Sequence, residues 1–553
     1  MPLAPLGVVH GYGLAGAGSN LWTRAVLRAL AQGGHAVHAV CQESRPERYD
    51  FVSKAVAYDA AGEPEVLFSR ETPYPGRVTV HRPALDVLPT FVRPSTPSDY
   101  VVYIPDLDDD AVEGYVARNA RLLERVAREA SVAAWVVNHT VLMAVAAHRA
   151  RGRGGAPYAV LPHGSAIEYV VKKEARSRRL AEEAMGGAAA VFALNGEMED
   201  RIRSVFGADV EGRTARMPVG TDTSVFELVD RADRAATVER IADVVGGVER
   251  GRPARATADL HGRLAALGES PADALLLAAL RADYPRSAPD ADVEAKLRAV
   301  DWPAKTVVYV GRLIAAKGPA DLVLALPLVA DAHPEARAVV AGTGGLREGL
   351  EAIVWALSRG DEALVRQLVR LGGALEGAGG LDAAPLVGGR AFLDRLDAEG
   401  GAGAYFETAR RVLTPEHVVF TGFLDHDALG PLYGLADAGA FPSVVREASP
   451  LVVPESAAAG VLPVGPDVGG MGDSLRALGE GLPEAARPLL LVRPAPEHRV
   501  LDLADRLVAA LDEPRQYAAD LRREAEARFD WRAISERLAA ALYGVAAPPA
   551  EAP

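Results

Sequence analysis

Lys305–Val310 (KTVVYV) is a strand by its β-branched run, and the lack of in–out alternation marks it as buried on both faces. Strands of that kind belong to parallel sheets covered by helices on both sides. Gly7–His10 reads the same way and opens into a glycine-rich turn, GYGLAGAGSN. The helix after it turns Leu21, Trp22, Ala25, Val26 and Leu30 to one face, Gly33–Gly34 end it, and Ala36–Val40 begins the next strand. A β-α-β opening with glycines where the backbone approaches something closely is the result. Two such openings in 553 residues predict an α/β protein of more than one domain. Further strands are expected at Val101–Ile104, Ala134–Val137, Tyr158–Leu161, Val191–Leu194, Ala215–Pro218 and in Arg337–Gly345.

The stretch Phe441–Asp473 is the most informative about chemistry. Glu447 and Glu455 stand either side of an expected helix start, with Ser449 suited to the N-cap and Pro450 to the first helical position. The third helical position is Val452, so no capping box closes the end. The amides of Leu451–Val453 are then open to an anion, which the helix dipole favours. Carboxylates beside a phosphate repel it unless they accept hydrogen bonds from hydroxyls, such as a ribose diol or a hexose. Phosphate, ribose and sugar together describe a nucleotide-sugar.

Other candidates come from strand ends, where ligands gather in open α/β sheets. Tyr158–Leu161 delivers His163–Gly164, and Lys305–Val310 delivers Arg312, with Lys317 at the head of the next helix. Arg with its fork and Lys as a point charge suit a diphosphate. Gly13, Gly16 and Gly18 form a loose dinucleotide pattern, and Glu43 supplies the acid a nicotinamide site would want after the second strand. Asp106, Asp108, Asp109 and Asp110 fit a solvated helix N-terminus better than a metal site. Lys172, Lys173, Arg176, Arg178 and Arg179 read as the charged face of a helix.

The phrase EASPLVVPE followed by SAAAG closely resembles the Glu-x7-Glu signature of glycosyltransferase family 4, retaining enzymes with the GT-B fold. YGLAGAGSN, PHGS, PVGTDTSVF and GRL…KG resemble the same family in chain order. The resemblance implies two facing Rossmann-like domains and transfer of a sugar from a nucleotide donor to an acceptor hydroxyl by front-face displacement. It gives Glu455 the ribose, Glu447 the donor sugar, and the Ala448, Ser449, Leu451 and Val452 backbone the sugar and phosphate. Gly16 and Gly18 would lie over the donor diphosphate, Arg312 and Lys317 would clamp it, and His163 would face the reacting carbon. No cofactor is implied beyond the UDP-, GDP- or ADP-sugar substrate, and no metal. The acceptor would be a saccharide, a small metabolite or a lipid-linked hydroxyl.

The implied organisation is an acceptor-side domain over 1–225, a helical insertion over 226–300, and a nucleotide-sugar domain over 301–528. A second helical insertion spans about 346–415, a closing helix 529–545 returns to the first domain, and 546–553 is a disordered tail. Both insertions are expected to lie outside the nucleotide pocket, as an acceptor wall or an oligomer contact. With 74 acidic against 60 basic residues, the net charge of −14 disfavours nucleic acid or an anionic membrane as main partner. Any membrane contact is expected to be peripheral. The single cysteine, Cys41, excludes an intrachain disulfide and fits a cytoplasmic protein. A binding protein that has lost transfer uses the same residues, and release of nucleotide from a donor separates the two.

Overall fold

The computed structural model describes residues 3–15, 18–94, 98–285, 287–302, 304–377 and 384–546. Gly16 and the tail beyond Ala546 lie outside the described residues. The chain divides into two compact units, residues 1–220 with 528–553, and residues 221–527.

The first unit is built on a nine-stranded sheet. Its strands are β1 (Leu6–Val9), β2 (Ala36–Val40), β3 (Val52–Tyr58), β4 (Pro64–Ser69) and β5 (Arg77–Pro83), and then β8 to β11 below. Two short strands, β6 (Leu88–Thr90) and β7 (Val101–Tyr103), pair only with each other. The expected strand at Val101 therefore forms, but apart from the main sheet. The sheet resumes with β8 (Trp135–Asn138), β9 (Tyr158–Leu161), β10 (Ala190–Ala193) and β11 (Thr214–Arg216). The order is β11-β10-β9-β8-β1-β2-β5-β3-β4, parallel throughout except for the edge strand β4. β1, β8 and β9 are buried at every residue, as strands covered on both faces are. Helix Trp531–Ala546 returns to this unit, where Ile534, Leu538 and Leu542 join a core with Trp22, Val26 and Leu30 of helix Ser19–Gln32. A Cβ on Gly220 would lie 2.6 Å from the Trp531 ring, so only glycine lets the chain pass there.

The second unit holds six parallel strands: β12 (Thr306–Val310), β13 (Arg337–Ala341), β14 (Val418–Gly422), β15 (Ala438–Ala440), β16 (Leu462–Pro466) and β17 (Leu491–Val492). Their order, β14-β13-β12-β15-β16-β17, puts the reversal of winding beside β12 and β15, where ligands of doubly wound sheets bind. The start of β12 is anchored by Asp437, whose side chain is fully buried. It accepts from Arg234 (2.7 and 3.1 Å), from Arg231 (2.8 Å) and from the Thr306 amide (2.8 Å). Asp437→Ala strands the fully buried Arg234 guanidinium. We expect a loss of about 3–5 kcal/mol in urea unfolding of this unit, and a loss below about 1 kcal/mol contradicts that account.

Residues 226–300 belong to the second unit and carry helices Arg234–Val245, Ala256–Leu267, Asp273–Ala279 and Val293–Arg298. Residues 346–415 carry helices Arg347–Arg359, Glu362–Leu371, Val387–Ala398 and Ala402–Val412. The two segments share a buried ionic network. Arg347 binds Asp290 (2.9 Å) and Glu351 (2.8 Å), Arg252 binds Glu351 (2.6 Å), and the Tyr284 hydroxyl donates to Glu348 (2.6 Å). Against burial, the largest single influence on Asp290, Arg347 and Lys296 together hold its carboxyl below the usual range.

Candidate functional site

In the second unit, the loops leaving β12, β13, β15 and β16 emerge on one edge because those strands are parallel. Glycines let these loops touch. A Cβ on Gly342 would sit 1.9 Å from the Gly311 carbonyl oxygen, and one on Gly318 (φ 65°) 2.0 Å from that of Pro442. The Leu313 amide donates to Thr343 (2.9 Å) and the Val444 amide to Ala316 (3.0 Å). The loop 311–318 is thus stitched to both neighbours, with Arg312 and Lys317 on it.

The structure brings Lys317 and Glu447 together as an ion pair, with side chains 24% and 16% exposed. Arg312 is exposed and forms no ion pair among the described residues. Beneath them the Tyr309 hydroxyl donates to the Arg312 carbonyl (3.0 Å). Its phenol is pushed up by burial and by the charge of Glu447. The Gly470 amide donates to the Glu447 carbonyl (2.7 Å), so the turn after β16 fixes the backbone that carries Glu447.

Glu455 lies in helix Val452–Ala458 and is 5% exposed. The Tyr433 hydroxyl donates to Oε2 at 3.3 Å, and His426 Nε2 lies 3.3 Å from Oε1. Tyr433 is fully buried, and burial together with Glu455 pushes its phenol up. Phe226 packs edge-on against both rings, at 5.5 Å from Tyr433 and 6.1 Å from His426. The helix begins later than the sequence signal at Ser449–Pro450 places it, and its N-cap is Leu451. The reason is Pro454, which has no N–H to give the Pro450 carbonyl. The first bond of the ladder is then Glu455 N–H to Leu451 C=O (3.0 Å). Ala448, Ser449, Leu451 and Val452 remain between the two glutamates, with the Ser449 hydroxyl donating to Ala448 (2.7 Å).

The second insertion reaches this loop. Glu376 accepts a hydrogen bond from the Ala315 amide, two residues before Lys317, and packs against Gly345. Sequence patterning gave Glu376 no signal, because its position depends on how the inserted helices fold back.

In the first unit, β1, β8 and β9 deliver His10, Asn138–His139 and His163 to one edge. The His139 and His163 rings lie 4.7 Å apart and those of His10 and His139 6.1 Å apart. His163 Nε2 meets Asn138 Oδ1 at 2.7 Å. Burial lowers His163 to about 3, with a further push from His10, and lowers His10 to about 4. His139 is driven well below its ordinary value by burial and by both neighbours. All three are neutral imidazoles at pH 7. Among the described residues no group of three or more His, Cys, Asp or Glu is arranged to hold a metal ion.

Gly18 has φ 61° at the start of helix Ser19–Gln32, a conformation that favours glycine. Glu43 is spent inside the glycine loop, accepting from the Leu14 amide (2.7 Å) and the Arg45 amide (2.9 Å). A carboxylate bound in this way is poorly placed to grip a nicotinamide ribose. Asn138, His10, His139, Tyr309, His426 and Tyr433 are site neighbours that sequence reasoning missed. The first three were legible in principle, as polar residues at the ends of predicted strands.

Residues 382–513 match the family described as Glycosyl transferases group 1, a span that includes Glu447 and Glu455. No curated protein matches the chain in sequence. Among solved structures it is similar to a sucrose-phosphate synthase from Thermosynechococcus elongatus, with 17% identity, TM-score 0.50, and 98% of this chain and 99% of that one covered. It is similar to the catalytic domain of starch synthase IV from Arabidopsis thaliana bound to ADP and acarbose, with 11% identity, TM-score 0.52 and 99% of each chain covered. It is also similar to HepE from Anabaena in complex with UDP, with 13% identity, TM-score 0.50, and 98% and 100% covered. At such identities the likeness is one of fold, and the fold is α/β of the GT-B type. No described helix is long and apolar enough to cross a membrane.

Proposed function

We propose that this protein is a retaining glycosyltransferase that moves a hexosyl group from a nucleoside diphosphate sugar to an acceptor hydroxyl. The observation that carries the reading is the edge of the six-stranded sheet. There two cations, Arg312 and Lys317, stand with Glu447 on stitched loops, and Glu455 is fixed in a buried helix by Tyr433. The group 1 match over both glutamates supports it, as do GT-B relatives solved with UDP and with ADP and acarbose.

In this reading Arg312 and Lys317 bind the diphosphate and stabilise the charge that grows on it as the sugar leaves. A diphosphate competes with Glu447 for the Lys317 ammonium, which turns the Glu447 carboxylate toward sugar hydroxyls. Glu455 accepts the ribose diol. The departing diphosphate takes the acceptor's proton on the face from which it leaves, so the anomeric configuration is kept. His163 at about 3 is too weak a base at pH 7 to take that proton. The lone buried Cys41 suits work in a reducing cytoplasm.

The test is thermal stabilisation against UDP-, GDP- and ADP-sugars and their diphosphates, followed by assay of released nucleotide with EDTA present. A ligand at about 100 times its Kd adds roughly 2.7 kcal/mol. Expected are stabilisation by one nucleotide class, release that survives EDTA because two side-chain cations face the diphosphate, and a product of unchanged anomeric configuration. Stabilisation by none of them, or turnover abolished by EDTA, contradicts the proposal. Binding without release favours a binding protein on the same fold.

A further inference from the structure

Asn138 closes the end of β8, is fully buried, and touches three groups whose hydrogen-bonding roles can be worked out. Its Nδ2 lies 3.3 Å from the Val9 carbonyl oxygen and 3.2 Å from Thr23 Oγ1. A carbonyl can only accept. Thr23 has one hydroxyl proton, and it goes to the Ser19 carbonyl at 2.7 Å, so toward Asn138 this oxygen can only accept as well. Both neighbours therefore require the amide NH2, which settles the orientation of an amide that geometry alone leaves open. The other end, Oδ1, then faces His163 Nε2 at 2.7 Å. An amide oxygen has no proton, so the bond exists only if Nε2 carries one.

We propose that Asn138 is a positioning residue that locks His163 in its Nε2–H tautomer and leaves Nδ1 as a hydrogen-bond acceptor for a substrate hydroxyl. Nδ1 has no partner among the described residues, and His163 is only half-buried. The packing of His139 at 4.7 Å and Trp22 at 6.3 Å fixes the plane of the ring. A neutral nitrogen lone pair takes a hydrogen bond from a neutral O–H and repels a phosphate oxygen. The group it selects is thus a sugar hydroxyl, and neither an anion nor a proton to be removed. The depression of His163 to about 3 by burial keeps this state through the neutral range. The hydroxyl contact rests on the function proposed above. The tautomer does not.

The experiment is a long-range proton–nitrogen correlation spectrum of the full chain labelled at histidine, with His163 assigned by its absence in His163→Gln. In the unsubstituted protein Nε2 is expected to be protonated and Nδ1 unprotonated, unchanged between about pH 6 and 8. A protonated Nδ1, or two averaged nitrogens, overturns the tautomer. UDP-glucose, GDP-mannose and ADP-glucose are then added in turn, with binding followed by calorimetry. A donor that binds is expected to shift Nδ1 toward the hydrogen-bonded position, and a donor that binds without moving Nδ1 overturns the hydroxyl contact. If none binds, the proposed function falls and the contact with it, while the tautomer stands on its own spectrum. Asn138→Ala should average the two nitrogens and raise donor KM about 10-fold with a smaller change in kcat. If Asn138→Ala does not fold, the spectrum of the unsubstituted protein still decides.

Discussion

Between about pH 6.5 and pH 4 the first unit is expected to lose more stability than the second. The cause is a set of histidines buried as neutral rings: His10 (0% exposed), His81 (6%) and His139 (3%). Burial brings His10 to about 4 and His81 to about 3, helped at His81 by His38 and Lys54, and holds His139 well below its ordinary value. The sign follows from proton counting. Below 6.5 the unfolded chain binds protons at these rings and the folded chain does not, so stability falls as pH falls. The stability is whole above 6.5 and drains away down to about 4. Each buried ring removes about 1.4 kcal/mol per pH unit, so by pH 5 each costs about 2 kcal/mol and three cost about 6. That is of the order of a whole domain's net stability, about 5–15 kcal/mol. In the unfolded chain histidine titrates at about 6.5 and carboxylates at about 4, so the histidines set the onset.

Hydrogen exchange read by mass spectrometry separates the units by peptide. Residues 1–220 should lose protection between about pH 6 and 4.5, ahead of residues 306–341. The His81→Gln variant, which removes a titrating ring next to Tyr58 (2.8 Å), should shift the onset to lower pH relative to its own stability at pH 7.5. Protection of 1–220 kept down to pH 4.5 contradicts the account.

What the sequence shows and what it hides follow from where the information lies. Strands buried on both faces, such as β1, β9 and β12, announce themselves by apolar runs, and the α/β assignment rests on them. β3, β4 and β5 carry no such run, because they lie toward one edge of the sheet and β4 is almost wholly exposed. Spacing and local helix chemistry single out the two glutamates as candidates, and their place after a buried strand singles out Arg312 and Lys317. The start of their helix was placed too early, since the missing N–H of Pro454 acts on a carbonyl four residues back. Glu376 could not be found, since its contact with Ala315 joins segments 61 residues apart through an insertion. The histidine trio is similar: each lies at a strand end, but their contact depends on β9, β8 and β1 being adjacent.

The second large effect separates the two glutamates. Glu455→Ala is expected to weaken a nucleoside diphosphate and its sugar together, by roughly 10- to 150-fold, the loss of about 1.5–3 kcal/mol from a carboxylate accepting hydroxyl hydrogen bonds. It also leaves the fully buried Tyr433 hydroxyl without an acceptor, so a fall in stability accompanies it. Glu455→Gln keeps an oxygen for Tyr433 and separates the two effects: stability should return, and diphosphate affinity only in part. Glu447 is different, because its partner is the cation proposed to hold the diphosphate. In Glu447→Ala the Lys317 ammonium loses its competitor, so diphosphate affinity should stay level or rise. Turnover should fall all the same, since the carboxylate assigned to the sugar hydroxyls is gone. Calorimetric titration with the diphosphate alone, beside turnover with the donor, decides the matter. Equal losses of diphosphate affinity in both variants, or a larger loss in Glu447→Ala, mean that the ribose and the sugar have been given to the wrong glutamates.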